Sequence, residues 1–335
     1  MIATTVWERR LHQQGSLTTV AVTADRVVLH ERGTRLVCLD RRDGSVRWDV
    51  PVGTYPRAVV AAGDRCLVLP QDKDGLFCFD LETGAVVWQA GLRPFSGHVV
   101  VAGETVVVGG WRDYSPVGAL DLADGRLLWR TPRRVATERP LPWGGAVLLG
   151  SGPEVWLVDP RDGRERTRLR LPEPLTTMDS GPAFIRAGSD RCLVRCGPRS
   201  VVCVRPGAGH AGRIYEHDAD LMPWPPQLAG GVVWLGTWGG GYLAVDPGSG
   251  AVRWEVDAGQ PFASGVVWDG EGFVLAGLGG VLFRLAPDGR IIERSWSSAT
   301  RVYGLRDLGA GEMLMATKGT LRLLVSPSRA AGRAR

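Results

Sequence analysis

The chain has 335 residues, 44% hydrophobic and 22% charged, which excludes a disordered polymer and leaves room for two ordinary domains or one closed repeat array. Its 46 Gly and 22 Pro are spread along the whole length, as many tight turns require, so no segment is low-complexity. The formal net charge is +5, but Arg329, Arg333 and Arg335 crowd the acid-free last ten residues, so the body is only mildly basic and no specific nucleic-acid partner is expected.

The first residues, MIATTVWERRLHQQ, lack an apolar run after a basic start, and no stretch of eighteen apolar residues follows anywhere. The expectation is therefore a cytoplasmic chain without a membrane partner, whose six cysteines (38, 66, 78, 192, 196 and 203) are free thiols. Residues 4–11, TTVWERRL, read as an isolated strand. One unit of about forty residues then recurs. Its clearest copies are LVCLDRRDGSVRW (36–48), LFCFDLETGAVVW (76–88), VGALDLADGRLLW (117–129) and YLAVDPGSGAVRW (242–254). VWLVDPRDGRERT (155–167) loses the Trp, VVCVRPGAG (201–209) and LFRLAPDG (282–289) lose the Asp, and the last unit stops at GTLRLLV (319–325). The turn-opening positions are Asp40, Asp80, Asp121, Asp159, Arg205, Asp246, Ala286 and Val325.

Within a unit such as 57–92, four short apolar runs are punctuated by Gly, Asp and Pro, the pattern of four antiparallel strands. The Asp of each Asp-x-x-x-Gly turn can accept bonds from backbone N–H groups ahead of it, and the Gly can take a positive φ. Four strands at this period make a propeller blade. Eight units predict an all-β eight-bladed β-propeller over residues 1–326, closed by pairing residues 4–11 with the strand-deficient last blade, and a flexible basic tail over 327–335. Seven or six blades follow only if a weak unit is misparsed. Trp7, Trp48, Trp88, Trp129 and Trp254 share one repeat position, so they belong to the wedge between neighbouring blades and not to a site.

The recurring Asp, Gly and Trp resemble the PQQ-like (quinoprotein-type) repeat. The resemblance covers essentially the whole chain and implies an eight-bladed propeller. That family includes PQQ-dependent alcohol dehydrogenases, a BamB-type assembly scaffold and sensor domains of bacterial kinases. Its dehydrogenases typically carry an adjacent Cys–Cys pair against the quinone and a calcium site of Glu, Asn and Asp. This sequence has no adjacent Cys pair and no Asn, so no cofactor is expected. The scaffold of that family is an exported lipoprotein, whereas no lipobox Cys is present here.

Residues that the repeat does not explain are the candidate site. Tyr55, Phe95, Trp143, Met178, Trp224, Phe262 and Tyr303 follow the Trp position of the preceding unit at similar distances, either as an aromatic funnel at a channel mouth or as packing between blades. The loops between second and third strands add Asp72, Lys73 and Asp74, the run Trp111, Arg112, Asp113 and Tyr114 as an exposed tip, and Trp238 in GTWGGGY; His98 stands near Phe95. The long irregular segments 130–143, 172–182 and 216–226 are where a rigid scaffold usually carries function. The last holds Glu216, His217, Asp218 and Asp220, the best acid–base cluster, with Asp179 or Asp113 as a partner carboxylate. His12, His30 and His210 show no metal spacing, so no metal is expected. These features predict a scaffold that binds a protein, peptide or small ligand at the loop-rich mouth. The alternative is a cofactor-independent cyclase, lyase or isomerase of bacterial specialised metabolism, with Asp113, Asp179, His217 and Asp220 as its candidate catalytic groups.

Overall fold

The computed structural model describes residues 2–14, 17–31, 35–53, 56–70, 75–92, 97–176, 182–259, 262–296 and 301–327. Tyr55, the 72–74 triplet, Phe95, Met178, Asp179 and most of the expected tail lie outside the described residues. The strands assort into eight antiparallel blades over residues 20–51, 56–90, 99–130, 141–170, 184–216, 227–257, 262–296, and 302–325 with 4–14. The fold is an eight-bladed β-propeller. The chain divides into two compact units. One (Thr18–Arg41 and Ser45–Arg213) holds blades one to five, short of the last residues of blade five. The other (Met1–Leu17, Arg42–Gly44 and Ile214–Arg335) holds blades six to eight.

The turn chemistry follows the sequence. Asp80 Oδ1 accepts the backbone N–H of Thr83 at 2.8 Å and of Glu82 at 3.1 Å, and Gly84 N–H returns to the Asp80 carbonyl at 2.9 Å. Asp246 does the same with Gly248 and Ser249. Such bonds favour the ionised form, so the carboxyls of Asp80 and Asp246 lie below their usual range, the latter aided by Arg253, and that of Asp159 is lowered first by its bond from Arg166 and then by the backbone N–H of Arg161.

The core lies in layers between successive blades. Ala21, Val28, Cys38 and Trp48 of blade one pack against Val59, Cys66, Val68 and Phe79 of blade two. Similar layers join blades two and three, three and four, and four and five in the first unit, and six to seven and seven to eight in the second. The repeated Trp sits in these layers. A Cβ on Gly84 would stand 2.7 Å from the Trp48 ring, one on Gly163 2.7 Å from Trp129, and one on Gly44 2.8 Å from Trp7. The indole N–H groups of Trp48, Trp88 and Trp129 reach the carbonyls of Leu81, Leu122 and Pro160 at 2.8–3.0 Å. Asp, Gly and Trp thus form one device: the Asp–Gly turn of a blade offers a flat glycine and a carbonyl to the indole of the blade before it. Where Thr167 replaces the Trp, Gly209 of the next turn faces open space. Trp254 meets Gly289 across a turn one residue shorter, and its buried Nε1 has no hydrogen-bond partner.

The eighth blade is completed from both ends of the chain. Its long strand Glu312–Val325 doubles back at Lys318–Gly319, bringing Thr317 and Thr320 hydroxyls within 2.6 Å and Ser326 N–H to the Gly311 carbonyl. The closing strand runs over Thr4–Gln14, three residues beyond expectation, with Thr4 opposite Val325 and Gln14 opposite Lys318. All six cysteines are free and buried, and burial pushes the Cys38, Cys78, Cys192 and Cys196 thiols up to about 11 or 12.

Candidate functional site

Because the four strands of a blade alternate in direction, the second-to-third turn leaves the same end of its sheet as the connections before the first strand and after the fourth. In blade three that loop end carries most of the chemistry singled out above. His98 immediately precedes the first strand, Val99–Ala102, and its carbonyl accepts Gly109 N–H. The second-to-third connection, 109–117, contains a short 3-10 turn over Trp111–Asp113. Two successive non-glycine residues there, Arg112 (φ 47°) and Asp113 (φ 59°), occupy the left-handed region. The connection to blade four docks on this hairpin, with Thr137 N–H donating to the Gly110 carbonyl at 2.7 Å.

The expected exposed tip is folded differently. Trp111 is buried, while Arg112, Asp113 and Tyr114 are exposed. The reason is a pair of cations and an edge-on ring. Arg57, at the start of blade two, lies with its guanidinium carbon 3.8 Å from the Trp111 ring centroid, Arg112 lies at 4.9 Å, and Tyr114 packs against it at 5.3 Å and 72°. Gly97 makes room: a Cβ there would stand 2.9 Å from Arg57 Nη2 and 3.0 Å from the indole. Beneath the hairpin, His98 Nε2–H donates to the Thr137 carbonyl at 3.0 Å. Burial lowers the His98 pKa to about 4, reinforced by the positive charges of Arg139 and Arg57 and opposed by the bond to Thr137. Burial likewise draws the Arg139 guanidinium below its ordinary value. Trp111 Nε1, Ser115 Oγ and Thr137 Oγ1 are buried with no hydrogen-bond partner.

The sequence reading missed Arg57, Ser115, Thr137 and Arg139. The last two lie in the irregular segment 130–143 that it marked, but nothing local distinguishes an arginine that opens a strand, as Arg57 does.

The described members of the seven-residue aromatic set do not share one position. Trp143 ends the first strand of blade four, Leu141–Trp143, opposite Ala146 beside the Gly144–Gly145 turn. It therefore sits at the far end of its sheet, buried and covered by Arg186 at 4.4 Å. Phe262 begins strand Phe262–Trp268, and Tyr303 lies within Val302–Gly309 beside Arg301. Of the described members, only Trp224 occupies an inter-blade connection, half-buried and packed on Tyr242 and Gly236. Trp238 is exposed in its glycine-rich turn, as expected.

In the acid–base segment, Glu216 and Asp218 are exposed. His217 Nδ1 pairs with the Tyr215 hydroxyl at 2.9 Å, and Asp220 is exposed. Among the described residues no group of three His, Cys, Asp or Glu side chains is placed to hold a metal. A groove of about 330 Å³ between blades three and four is lined by Trp129, Val135, Trp156 and Arg168, and Arg168 is held there by Glu154 and Glu165 at 2.6 and 2.5 Å.

A family model described as outer membrane protein assembly factor BamB (PQQ_2) matches residues 3–73 and 53–237. The chain belongs to the PQQ_2 family. No curated protein matches the sequence significantly. Among solved structures, this PQQ_2 chain is similar to BamB from Moraxella catarrhalis, at 17% identity over 98% of each chain with a TM-score of 0.78. It is also similar to the computationally designed Ika8 protein (13% identity, 94% of this chain and 98% of that one, TM-score 0.74). Saccharomyces cerevisiae Sqt1 matches at 9% identity over 98% and 100%, with a TM-score of 0.73. At these identities the likeness is one of fold.

Proposed function

We propose that the chain is a recognition scaffold that holds a protein partner at the loop end of blades two to four, by binding and not by bond chemistry. The observation that carries this reading is the Trp111 hairpin: a buried indole under two guanidinium groups, an exposed Tyr114 and a neutral His98. It offers aromatic surface and donors, the chemistry of interface anchors. Among the described residues it holds no nucleophile with a base in hydrogen-bond reach. The family's description as an assembly factor supports a protein partner. Six buried, free cysteines support a reducing compartment, and we propose action in the cytoplasm.

Site-specific photocrosslinking in the producing cell tests the reading. A photoreactive residue replacing Tyr114 is expected to give one discrete protein adduct. The same residue replacing Leu127, equally exposed on the fourth strand of the same blade, is expected to give none. Equal labelling from both positions, or none from Tyr114, overturns it.

A further inference from the structure

Resting on the scaffold reading only for the nature of the partner, we propose that the groove between blades three and four receives an aromatic side chain flanked by Asp or Glu, from a short segment of a partner protein. The groove exists because blade three fills its inter-blade layer sparingly. Val117 and Ala119, entering its third strand, stand where the two preceding blades carry Leu36 with Cys38 and Leu76 with Cys78. The space left is about 330 Å³, at the small end of the ~300–1,000 Å³ of ligand sites. Trp129 and Trp156, both half-buried, line it together with Val117, Leu149 and Val158. A flat ring suits such walls: it packs edge-on or offset against an indole and brings large apolar area at little cost in side-chain freedom. The Trp156 indole N–H and the Ser151 hydroxyl, also in the lining, have no hydrogen-bond partner among the described residues, so a tyrosine hydroxyl would find both a donor and an acceptor there.

Charge around the groove selects what flanks that ring. The two acids in the lining are already engaged: Arg168 donates to Glu165 at 2.9 and 2.5 Å and to Glu154 at 2.6 Å, with its guanidinium carbon 4.7 Å from the Trp156 ring centroid. The arginines at the rim are not engaged. Arg133 and Arg134 lie between the lining residues Thr131 and Val135, and Arg170 is opposite Glu154 in the strand pairing. All three are exposed and pair with no acid. Four arginines (133, 134, 168 and 170) thus stand against two glutamates, and carboxylates on either side of the ring complement that excess. A cationic guest would meet carboxylates that Arg168 already holds and three arginines that repel it. The groove is also continuous with the loop end: Val135 is two residues from Thr137, whose N–H docks the connection on the Trp111 hairpin.

The test uses the full chain and a fluorescent peptide, Gly-Glu-Glu-Tyr-Glu-Glu-Gly, blocked at both ends. One analogue carries alanine for the tyrosine, another carries glutamine for every glutamate, and an oligothymidylate of equal charge is the nucleic-acid arm. Anisotropy is expected to show the parent peptide binding at least about tenfold more tightly than either analogue. Arg133→Glu combined with Arg134→Glu is expected to lose about tenfold. Arg290→Glu combined with Arg301→Glu makes the same change in net charge at exposed arginines of blade seven and of the connection into blade eight, and is expected to bind as the wild type does. Trp156→Ala removes one wall and is expected to lose about tenfold as well. Val135→Trp fills the groove from its connecting loop and leaves the strands untouched, so it decides the matter if Trp156→Ala weakens the fold. Equal binding of either analogue, an equal loss in the two double variants, or undiminished binding by Val135→Trp overturns the proposal. So does tighter binding of the oligonucleotide that Val135→Trp abolishes. If the peptide fails while the Tyr114 crosslink still captures one partner, the groove assignment falls and the scaffold reading stands. Peptide binding in the groove without any crosslinked partner counts against placing the partner at the Trp111 hairpin and leaves the groove assignment intact.

Discussion

Trp88 of blade two donates its indole N–H to the Leu122 carbonyl of blade three at 2.9 Å, and its ring lies 2.5 Å from where Gly125 would carry a Cβ. One residue triplet thereby joins a hairpin turn to the packing between sheets. The Asp121–Gly125 turn exposes the carbonyl, the positive φ of Gly125 flattens the surface, and the indole covers both.

This relationship makes Gly125→Ala a severe substitution. The new methyl would overlap ring carbons that are fixed between two sheets, at a φ of 74° that already disfavours a side chain. A loss on the order of 3 kcal/mol is expected in urea unfolding. Gly103→Ala, in the same blade at φ 62° with nothing within 4 Å, should cost only ~1 kcal/mol. Equal losses at the two positions would show that the backbone, and not the indole, sets the requirement.

The hydrogen bond can be separated from the ring by comparing two tryptophans. Trp88→Phe removes a bond and strands the Leu122 carbonyl, whereas Trp254→Phe removes an N–H that has no partner. Both lose similar aromatic area. Trp88→Phe should therefore be the more destabilising by ~1 kcal/mol, read from denaturant midpoints at unchanged slope.

Closure rests on Trp7, whose ring packs on Gly44, and on the pairing of Thr4–Gln14 with Glu312–Val325. Trp7→Ala should cost about 3–5 kcal/mol, the range for emptying a buried aromatic site. Removing residues 2–14 should do something different in kind. It bares the edge of a long strand, so the truncated chain is expected to form dimers and larger species by light scattering at concentrations where the full chain does not. A monomeric, equally stable truncation would show that the strand is dispensable.

The strands and the closure were legible because a period exposes its own logic. Asp80, Gly84 and Trp48 each recur, and the isolated Trp7 could be placed by matching it to the others. The site was legible only by subtraction. Trp111, Arg112, Tyr114 and His98 stood out because no other blade carries them. Arg57 could not, since its role arises where blade two meets blade three and leaves no trace in neighbouring residues. Trp143 misled for a related reason. Counting from Trp129 placed it in a loop, but the long connection over 131–140 had already delivered the chain to the next sheet, so Trp143 ended its first strand at the opposite end.

His98 gives the site a signature in pH. In the unfolded chain a histidine takes up its proton near 6.5, whereas burial under the Trp111 hairpin, with Arg139 and Arg57 nearby, lowers the folded value to about 4. Between those values the unfolded state binds more protons, so the contribution of His98 is fully present above pH 6.5 and is lost as pH falls toward 4. The loss approaches ~3 kcal/mol at the lower limit. His98→Gln keeps a donor for the Thr137 carbonyl and cannot be protonated. Its unfolding free energy should therefore fall less than that of the wild type between pH 7 and pH 4, by up to ~3 kcal/mol. The lowered carboxyls of Asp80, Asp159 and Asp246 act on both proteins alike and at lower pH. Parallel stability curves for the two proteins over that window would mean that His98 is protonated within the fold. The cationic, desolvated character of this loop end would then be wrong, because a charged imidazole beside two guanidinium groups requires either water or an acid that the described residues do not supply.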